Sequence, residues 1–196
     1  EIVFPAAILQ APFFNPKADM AVNYGGIGGV IGHEMTHGFD DQGRKSDGYG
    51  VLTDWWTADD ATKFKTQATK LGAMYSGFEA LPGAFIKGDQ TMGENIGDMG
   101  GVSLALDAYH NSLHGKPAPV IDGLTGDQRF YLGFAQVWRG KAREGEAISR
   151  IKTDPHSPPQ VRGAAPLRNQ PGFFQAFDIK PGDKMYLAPD ERVIIW

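Results

Sequence analysis

The sequence predicts a mainly α-helical domain with a small β component. Apolar residues recur with helical spacing in four segments, whereas the segments with strand character are few and short. The chain has 196 residues, 41% of them hydrophobic, which is enough to bury the core of one domain. We therefore expect one helical domain over residues 1–196.

Four helices are predicted in chain order. The first runs from about Tyr24 to Phe39 and has the glycine-rich stretch 25–29 at its start. The second begins after Thr57, whose hydroxyl suits an N-cap. The third runs from about Met92 to Leu113, and the fourth from about Asp127 to Arg143. Weak strand signals lie at Ile2–Phe4, Gly50–Thr53 and Val193–Ile195, and proline and glycine mark bends at 12–16, 43–50, 115–119, 155–159 and 181–182.

Charge and composition exclude several functional classes. The net charge of −4 and the pI near 5.7 argue against nucleic acid as a partner, since binding it needs a basic face. The longest apolar stretch, from Ile2 to Leu9, is too short to span a bilayer, so no transmembrane segment is expected. The chain has no cysteine, so a metal site would have to use histidines and carboxylates.

A pair of histidines four residues apart lies in the first predicted helix, in the run from His33 to His37. On a helix such residues are about 40° and about 6 Å apart, so both imidazoles can face one metal ion. Glu34 lies about 100° around the helix, close enough to reach a water at the metal without binding the metal. The alternative is a pair of unrelated surface histidines.

A zinc site needs a third protein ligand, which the start of the third helix can provide. Glu94 would complete a His-His-Glu set and leave a position open for water. Asp98, on the same helix face, would accept a hydrogen bond from one ligand histidine. Asp40, three residues after His37, could do the same for the other. The alternative for Glu94 is an ordinary acidic helix N-terminus.

His110 and His114 are also four residues apart, but they are a poor candidate for a second metal site. No glutamate follows His110, and Asn111 and Ser112 make the surroundings polar near the end of the helix. We interpret both as surface histidines.

Several motifs in order resemble the neprilysin family of zinc metalloendopeptidases, over essentially the whole chain. They are the runs 2–10, 13–14, 23–28, 30–32, 33–41, 54–56, 93–98, 137–138 and 154–158. The resemblance implies a zincin-like (thermolysin-like) fold, here the C-terminal catalytic zinc-peptidase domain of a longer bacterial-type member. It also implies one Zn²⁺ per chain, a peptide substrate and a location outside the cytoplasm, periplasmic, secreted or membrane-anchored.

The resemblance also implies which residues carry the chemistry. His33, His37 and Glu94 correspond to the zinc ligands, and Glu34 corresponds to the general base. These are the positions that spacing alone already favours.

Further residues are assigned by the resemblance. Asp40 and Asp98 correspond to the carboxylates behind the ligand histidines, and Asp98 is counted among the catalytic residues as well. His156 corresponds to the histidine that stabilises the oxyanion, and Arg162 to the arginine that binds the substrate main chain. The pocket for the residue after the scissile bond would use Ile8, Phe13, Val30, Val137 and Trp138. From the residues alone, His156 could be an exposed loop histidine, Arg162 a surface charge, and the apolar positions ordinary core.

Two features of the family fall outside this chain: the segment that docks the substrate, expected just before Glu1, and the N-terminal lobe that covers the active site. The main expectation is a zinc endopeptidase that uses a metal-activated water and cuts oligopeptides before apolar residues. One alternative is a zinc-stabilised fragment with little or no activity, because those two parts are absent. The other is an exopeptidase, but Gly25 to Gly29 offers no acidic group for a free amine.

Overall fold

Helices form most of the chain in the computed structural model, which describes residues 1–195. The two strands are short, so the prediction of a mainly α fold with a small β component is confirmed. The elements are α1 (Met20–Asn23), α2 (Gly29–Thr36), α3 (Ala58–Ser76), β1 (Glu79–Leu81), β2 (Ala84–Phe85), α4 (Met92–Ser112), α5 (Gly126–Val137), α6 (Glu144–Thr153), α7 (Pro159–Arg162) and α8 (Pro171–Phe177).

The first predicted helix is part of a longer helical stretch. It begins at Met20 with α1, continues through a π-helical turn at Tyr24–Gly28 into α2, and ends in a 3₁₀ turn at His37–Phe39. The glycines in the π-helical turn have a packing reason, because a Cβ on Gly25 would lie 2.1 Å from the carbonyl oxygen of Phe130. The turn therefore lies directly against the backbone of α5.

The second and third predicted helices begin where the sequence places them. The Thr57 hydroxyl accepts a hydrogen bond of 3.1 Å from the backbone N–H of Asp60, so it caps α3 as predicted. Helix α4 begins at Met92 and ends one residue before the predicted Leu113.

The C-terminal third of the chain contains most of the errors in the helix prediction. Helix α5 ends at Val137 and not at Arg143, and α6, α7 and α8 were not predicted. Helix α6 contains no buried residue, so it adds nothing to the core. Helices α7 and α8 begin at Pro159 and Pro171, where proline fits the first helical turn. Of these two, Pro159 lies in the run 155–159 that was predicted to be a bend.

The three strand predictions are wrong. Ile2–Phe4 and Val193–Ile195 are not strands, and Gly50–Thr53 contributes a single bridge from Leu52 to Ser46. The antiparallel pair β1–β2 lies elsewhere, after α3. Val193 is apolar for another reason: it is buried in the core, where its backbone N–H donates to Asn169 Oδ1 at 2.8 Å.

Helix α4 runs through the middle of the core and separates two apolar clusters. Its C-terminal half packs with α5 and α8 through Tyr109, Phe130 and Phe173. Its N-terminal half packs against α3 through Ile96 and Leu71. Among residues 1–195, no helix is long and apolar enough to cross a membrane.

Helices α2 and α4 cross at close range because glycines line the crossing. A Cβ on Gly32 would lie 2.9 Å from the Gly101 carbonyl oxygen, and one on Gly101 would lie 2.5 Å from the Gly29 carbonyl oxygen. On the same face of α4, a Cβ on Gly97 would lie 2.7 Å from Cε1 of His33. The crossing therefore places the start of α4 directly beside the histidines of α2.

Candidate metal centre

Three side chains from two helices converge at the crossing of α2 and α4. His33, His37 and Glu94 each offer one ligand atom, and these atoms lie within 4.8 Å of one another. Nε2 of His33 is 3.2 Å from Glu94 Oε2, and Nε2 of His37 is 3.6 Å from Glu94 Oε1. The two imidazoles approach edge to face, with ring centroids 4.5 Å apart. Two nitrogens and a carboxylate thus surround one point.

The chemistry of this donor set fits a zinc ion. Two imidazoles and one carboxylate with an open fourth position form a common catalytic zinc set. Oε2 of Glu94 is buried without a well-aligned hydrogen bond from residues 1–195, although Nε2 of His33 and Nε2 of His156 lie 3.2 Å and 3.0 Å from it. A buried carboxylate oxygen without a hydrogen bond is costly, and a bound cation would remove that cost.

The Nδ1 atom of each histidine, which faces away from Glu94, is within hydrogen-bond distance of a carboxylate. His33 Nδ1 lies 2.9 Å from Oδ1 of Asp98, which is almost fully buried. His37 Nδ1 lies 2.8 Å from Oδ2 of Asp40, whose other oxygen accepts backbone hydrogen bonds from Gln42 and Gly43. With Nδ1 engaged, each ring turns Nε2 towards Glu94, which is the orientation that metal ligation needs.

The charges of these groups reinforce one another. Burial alone would lower the pKa of His33, but the neighbouring carboxylates of Asp98 and Glu94 outweigh it and raise the pKa to about 9. Burial would raise the pKa of Glu94, yet His156 and His33 hold it well below its usual range. The pKa of Asp40 is lowered too, since His37 and two backbone N–H groups outweigh burial. The site therefore carries ionised carboxylates, which favour a divalent cation.

Glu34 follows His33 in α2 but has a different environment. Its side chain is exposed and makes no hydrogen bond or ion pair to the residues that the structure describes. It therefore lies on the open face of the helix, beside the candidate metal ligands and not among them.

The structure brings His156 to the metal site from a distant loop. Its Nε2 lies 3.0 Å from Glu94 Oε2, and its Nδ1 lies 2.7 Å from Oδ1 of Asp154. Next to it, the buried hydroxyl of Ser157 donates a hydrogen bond of 2.7 Å to Oδ1 of Asn95. This bond ties the loop to α4, one residue from Glu94, so His156 is not an isolated loop histidine.

Asp154, Ser157 and Asn95 are residues that sequence reasoning missed. Each lies inside a run that was recognised, beside His156 or beside Glu94. Their position next to a predicted site residue is the signal that could have found them. Nothing in the sequence spacing indicates that Ser157 and Asn95 are in contact.

Arg162 is not a surface charge, as one interpretation of the sequence allowed. It is buried, and its Nε and Nη2 donate to Oδ2 and Oδ1 of Asp98, each at 2.8 Å. Its guanidinium also lies over the ring of Trp138, with Cζ 4.1 Å from the ring centroid. Nη2 is 3.6 Å from Glu94 Oε2. Arg162 thus extends the polar network from the metal site towards Trp138.

A cavity of about 750 Å³ opens beside this network, lined by His156, Arg162 and Trp138 among others. Trp138 is the one member of the predicted apolar pocket that lines it. The other four predicted pocket residues are half-buried and are not part of the cavity lining: Ile8, Phe13, Val30 and Val137.

The second histidine pair lies away from this centre. His110 is exposed, and its Nε2 is 2.8 Å from Oδ1 of Asp127 on α5. His114 is also exposed, beyond the end of α4. Among residues 1–195, the group able to hold a metal is the one at His33, His37 and Glu94.

Comparison with known proteins gives consistent similarities over the whole chain. The profile of Peptidase family M13 matches residues 1–193. Human neprilysin is 43% identical over 202 residues, and human endothelin-converting enzyme 1 is 42% identical over 200 residues. Both matches cover 100% of this chain and 26% of the relative, so the chain spans about a quarter of these relatives' length.

Among solved structures, the chain is similar to zinc metalloprotease ZMP1 of Mycobacterium tuberculosis in complex with an inhibitor. The TM-score is 0.96 at 56% sequence identity, over 98% of this chain and 30% of that chain. A Lactobacillus PepO structure is similar at a TM-score of 0.86 and 35% identity, over 97% of this chain and 29% of that chain. At these identities the likeness extends to sequence as well as fold.

Proposed function

This chain belongs to Peptidase family M13, and on that premise we propose that the whole protein is a zinc-dependent endopeptidase acting on oligopeptides. The observation that supports this most directly is the convergence of His33, His37 and Glu94 at one point. These three residues would hold one zinc ion. When bound, zinc supplies Lewis-acid chemistry, acidifying a water and polarising the substrate carbonyl.

Glu34 is the proposed general base. It lies on the exposed face of α2, one residue from His33, where a carboxylate can contact a water without binding the metal itself. Its carboxylate takes a proton from the attacking water and later gives that proton to the leaving amine. This assignment needs a substrate on the open side of α2, where Glu34 is free of protein partners among the described residues.

His156 is the proposed donor to the oxyanion that develops during attack. Its Nδ1 is engaged by Asp154, which leaves Nε2 directed at the centre, 3.0 Å from Glu94. A well-placed donor of this kind is worth about 3–4 kcal/mol in the transition state. Asp154 acts as a positioning residue, because it fixes which nitrogen of His156 faces the substrate.

Arg162 is proposed to bind the substrate main chain just beyond the scissile bond. Its Nε and Nη2 are fixed by Asp98, and the ring of Trp138 supports the plane of its guanidinium. An arginine held in this way meets the substrate with little loss of side-chain freedom. Trp138 also supports a preference for an apolar residue after the scissile bond. Since a pocket discriminates by about 1–3 kcal/mol per methylene, the preference should be broad.

A second candidate, a zinc-binding but weakly active fragment, applies to this chain taken by itself. The outer face of α2 beside Glu34 exposes two apolar side chains: Ile31 is 40% exposed and Met35 is 57% exposed. Exposed apolar surface beside a site marks a place where another part of the protein or a ligand binds. The whole protein is therefore expected to be much more active than residues 1–196 alone. Its location outside the cytoplasm remains a prediction from family resemblance.

The proposal is tested with the purified whole protein and a quenched peptide whose two ends are acetylated and amidated. Blocking both ends prevents exopeptidases from acting, so cleavage establishes an endopeptidase, and mass spectrometry locates the bond that is cut. We expect about one zinc per chain by elemental analysis and cleavage before an apolar residue. Metal-free protein with full activity, or cleavage confined to unblocked peptides, would contradict the proposal.

A further inference from the structure

The loop between α6 and α7, residues 154–158, carries His156 and receives little support from the helix before it. Helix α6 contains no buried residue, so core packing does not fix where Asp154 lies. Asp154 in turn determines the position of His156, because its Oδ1 accepts the His156 backbone N–H at 2.9 Å and lies 2.7 Å from His156 Nδ1. The position of the proposed oxyanion donor therefore depends on what else holds Asp154.

The side-chain amide of Gln90 holds the backbone of Asp154. Gln90 Nε2 donates a hydrogen bond of 2.9 Å to the Asp154 carbonyl oxygen, although 64 residues separate the two in the chain. Gln90 is half-buried, so water competes for this bond less than it would on an open surface. On the other side of His156, the hydroxyl of Ser157 donates to Asn95. The start of α4 and the turn before it thus hold the loop on both sides of His156.

Gln90 lies in a turn that is itself fixed. Its backbone N–H donates to the Lys87 carbonyl oxygen at 2.9 Å, which closes the turn. The backbone N–H of Gly88 donates to Ser76 Oγ at 3.1 Å. A Cβ on Gly88 would collide with the Gly72 carbonyl oxygen, so the turn lies directly against α3. A donor on such a support defines the position of its acceptor.

We propose that Gln90 is a positioning residue for His156: by holding the Asp154 backbone, it keeps His156 Nε2 directed at the developing oxyanion. The inference rests on the proposed peptidase function and adds a residue to its machinery. Gln90 acts through Asp154 and needs no contact of its own with the substrate. Since a displacement of about 1 Å at a reacting group can cost about 100-fold in rate, a bond this far from the chemistry can still affect turnover.

The test compares Gln90→Met with the wild type in the whole protein, using the end-blocked quenched peptide. Methionine has nearly the size of glutamine, but its thioether cannot donate to the Asp154 carbonyl oxygen. We expect kcat to fall about tenfold and KM to change less than about twofold, because the donor to the oxyanion acts in the transition state. Gln90→Glu, whose ionised carboxylate cannot donate either, should lower kcat at least as much. It replaces Gln90→Met as the test if that variant does not fold.

Gln128→Met is the matched control. Gln128 Nε2 also donates to a backbone carbonyl, that of Ala176 at 2.8 Å, and its Oε1 accepts the backbone N–H of Thr125 at 2.9 Å. Gln128 lies in the first turn of α5 and is not part of the cavity lining that includes His156. The control loses at least as many hydrogen bonds, so its stability in denaturant should fall at least as far, yet it should keep the wild-type kcat.

Two further measurements separate positioning from a general loss of structure. In a His156→Ala background, Gln90→Met should have no further effect on kcat, because the group that it positions is gone. A purely structural role of Gln90 would give the same loss of kcat in both backgrounds. Independently of turnover, amide hydrogen exchange in the segment 154–158 should be faster in Gln90→Met than in the wild type, and unchanged in Gln128→Met.

The inference is overturned if Gln90→Met keeps the wild-type kcat, or if its loss of kcat is equally large in the His156→Ala background. An equal fall in kcat in Gln128→Met overturns it too, since any lost hydrogen bond would then have that effect. If the wild-type protein does not cleave the peptide, the proposed function fails and the catalytic role of Gln90 fails with it. Cleavage that Gln90→Met leaves unaffected overturns the positioning role alone.

Discussion

His33 Nδ1 lies 2.9 Å from Asp98 Oδ1, although 65 residues separate them in the chain. The same carboxylate accepts two hydrogen bonds of 2.8 Å from Arg162. Asp98 therefore connects the proposed metal ligand His33 on α2 with the proposed substrate-binding arginine on α7. A change at this carboxylate should alter metal binding and substrate binding together.

The first prediction concerns Asp98→Asn, which keeps the shape of the side chain but removes its charge. We expect zinc affinity to fall by about 10- to 100-fold, because the imidazole of His33 loses the partner that orients it. Arg162 also loses a buried counter-charge, and breaking such a pair costs about 3–5 kcal/mol of folding free energy. Competition with a chelator measures the affinity, and denaturant unfolding measures the stability.

Asp107→Asn is the matched control, since Asp107 is an exposed residue on the same helix. It should leave both quantities unchanged. If Asp98→Asn bound zinc as tightly as the wild type, the carboxylate would have no role in orienting His33.

The second prediction concerns Glu34→Gln. Glu34 is exposed and is not among the residues whose ligand atoms converge, so its loss should leave zinc content intact. Turnover should fall by about 10²–10⁴-fold, the range for removing a general base. Elemental analysis and peptide cleavage on the same sample check both parts, with the exposed Glu144→Gln as the control. Retained turnover would refute the assignment of Glu34.

The candidate metal site could be predicted from the sequence because each of its parts is local. Residues four apart on a helix share a face, which relates His33 to His37 and Glu94 to Asp98 without knowledge of the fold. The convergence of the two pairs depends on the α2–α4 crossing, which Gly32 and others permit by close backbone contact. Those glycines look like flexible linkers or neutral helix positions in the sequence, so the crossing itself could not be derived.

The parts that sequence reasoning missed depend on long-range contacts or on weak local signals. Ser157 and Asn95 are 62 residues apart and meet only after the loop of His156 has folded onto α4. Nothing in the residue types around Arg162 indicates a buried pair with Asp98. Helix α6 contributes no buried residue to the core, and the proline-rich run 155–159 predicts a bend although Pro159 begins α7.

The third prediction concerns Gly101→Ala at the crossing of the two helices. The added methyl would lie 2.5 Å from the Gly29 carbonyl oxygen and 2.8 Å from the His33 backbone nitrogen, so α2 must move away from α4. We expect a loss of about 1–3 kcal/mol in folding free energy, as for other overpacked sites, and weaker zinc binding.

Gly145→Ala is the control for this substitution, because it is helical and has no atom within 4 Å of the added methyl. It should be neutral or stabilising by up to about 1 kcal/mol. If Gly101→Ala and Gly145→Ala had the same free energy of unfolding and the same zinc affinity, the close crossing would not be needed to hold the histidines beside Glu94.

The fourth prediction concerns Ser157→Ala, which removes the hydrogen bond between the His156 loop and Asn95. The buried Oδ1 of Asn95 would lose its donor, at a cost of about 1–3 kcal/mol. If the bond positions His156 for the transition state, kcat should fall while KM changes little, whereas a purely structural role would lower stability alone. Steady-state kinetics and thermal unfolding separate the two, with the exposed Ser149→Ala as the control.

The last prediction concerns removal of the metal. A zinc ion held by His33, His37 and Glu94 would cross-link α2 to α4, and any ligand that binds only the folded state stabilises it. At a free concentration of about 1,000 times Kd this amounts to about 4 kcal/mol, so a chelator should lower the melting temperature and added zinc should restore it. His33→Ala lacks one ligand and should show a much smaller chelator effect, whereas the exposed His114→Ala should respond like the wild type. Elemental analysis should show that the chelator has removed the metal from the wild-type protein. If the melting temperature is nevertheless unchanged, zinc does not join the two helices.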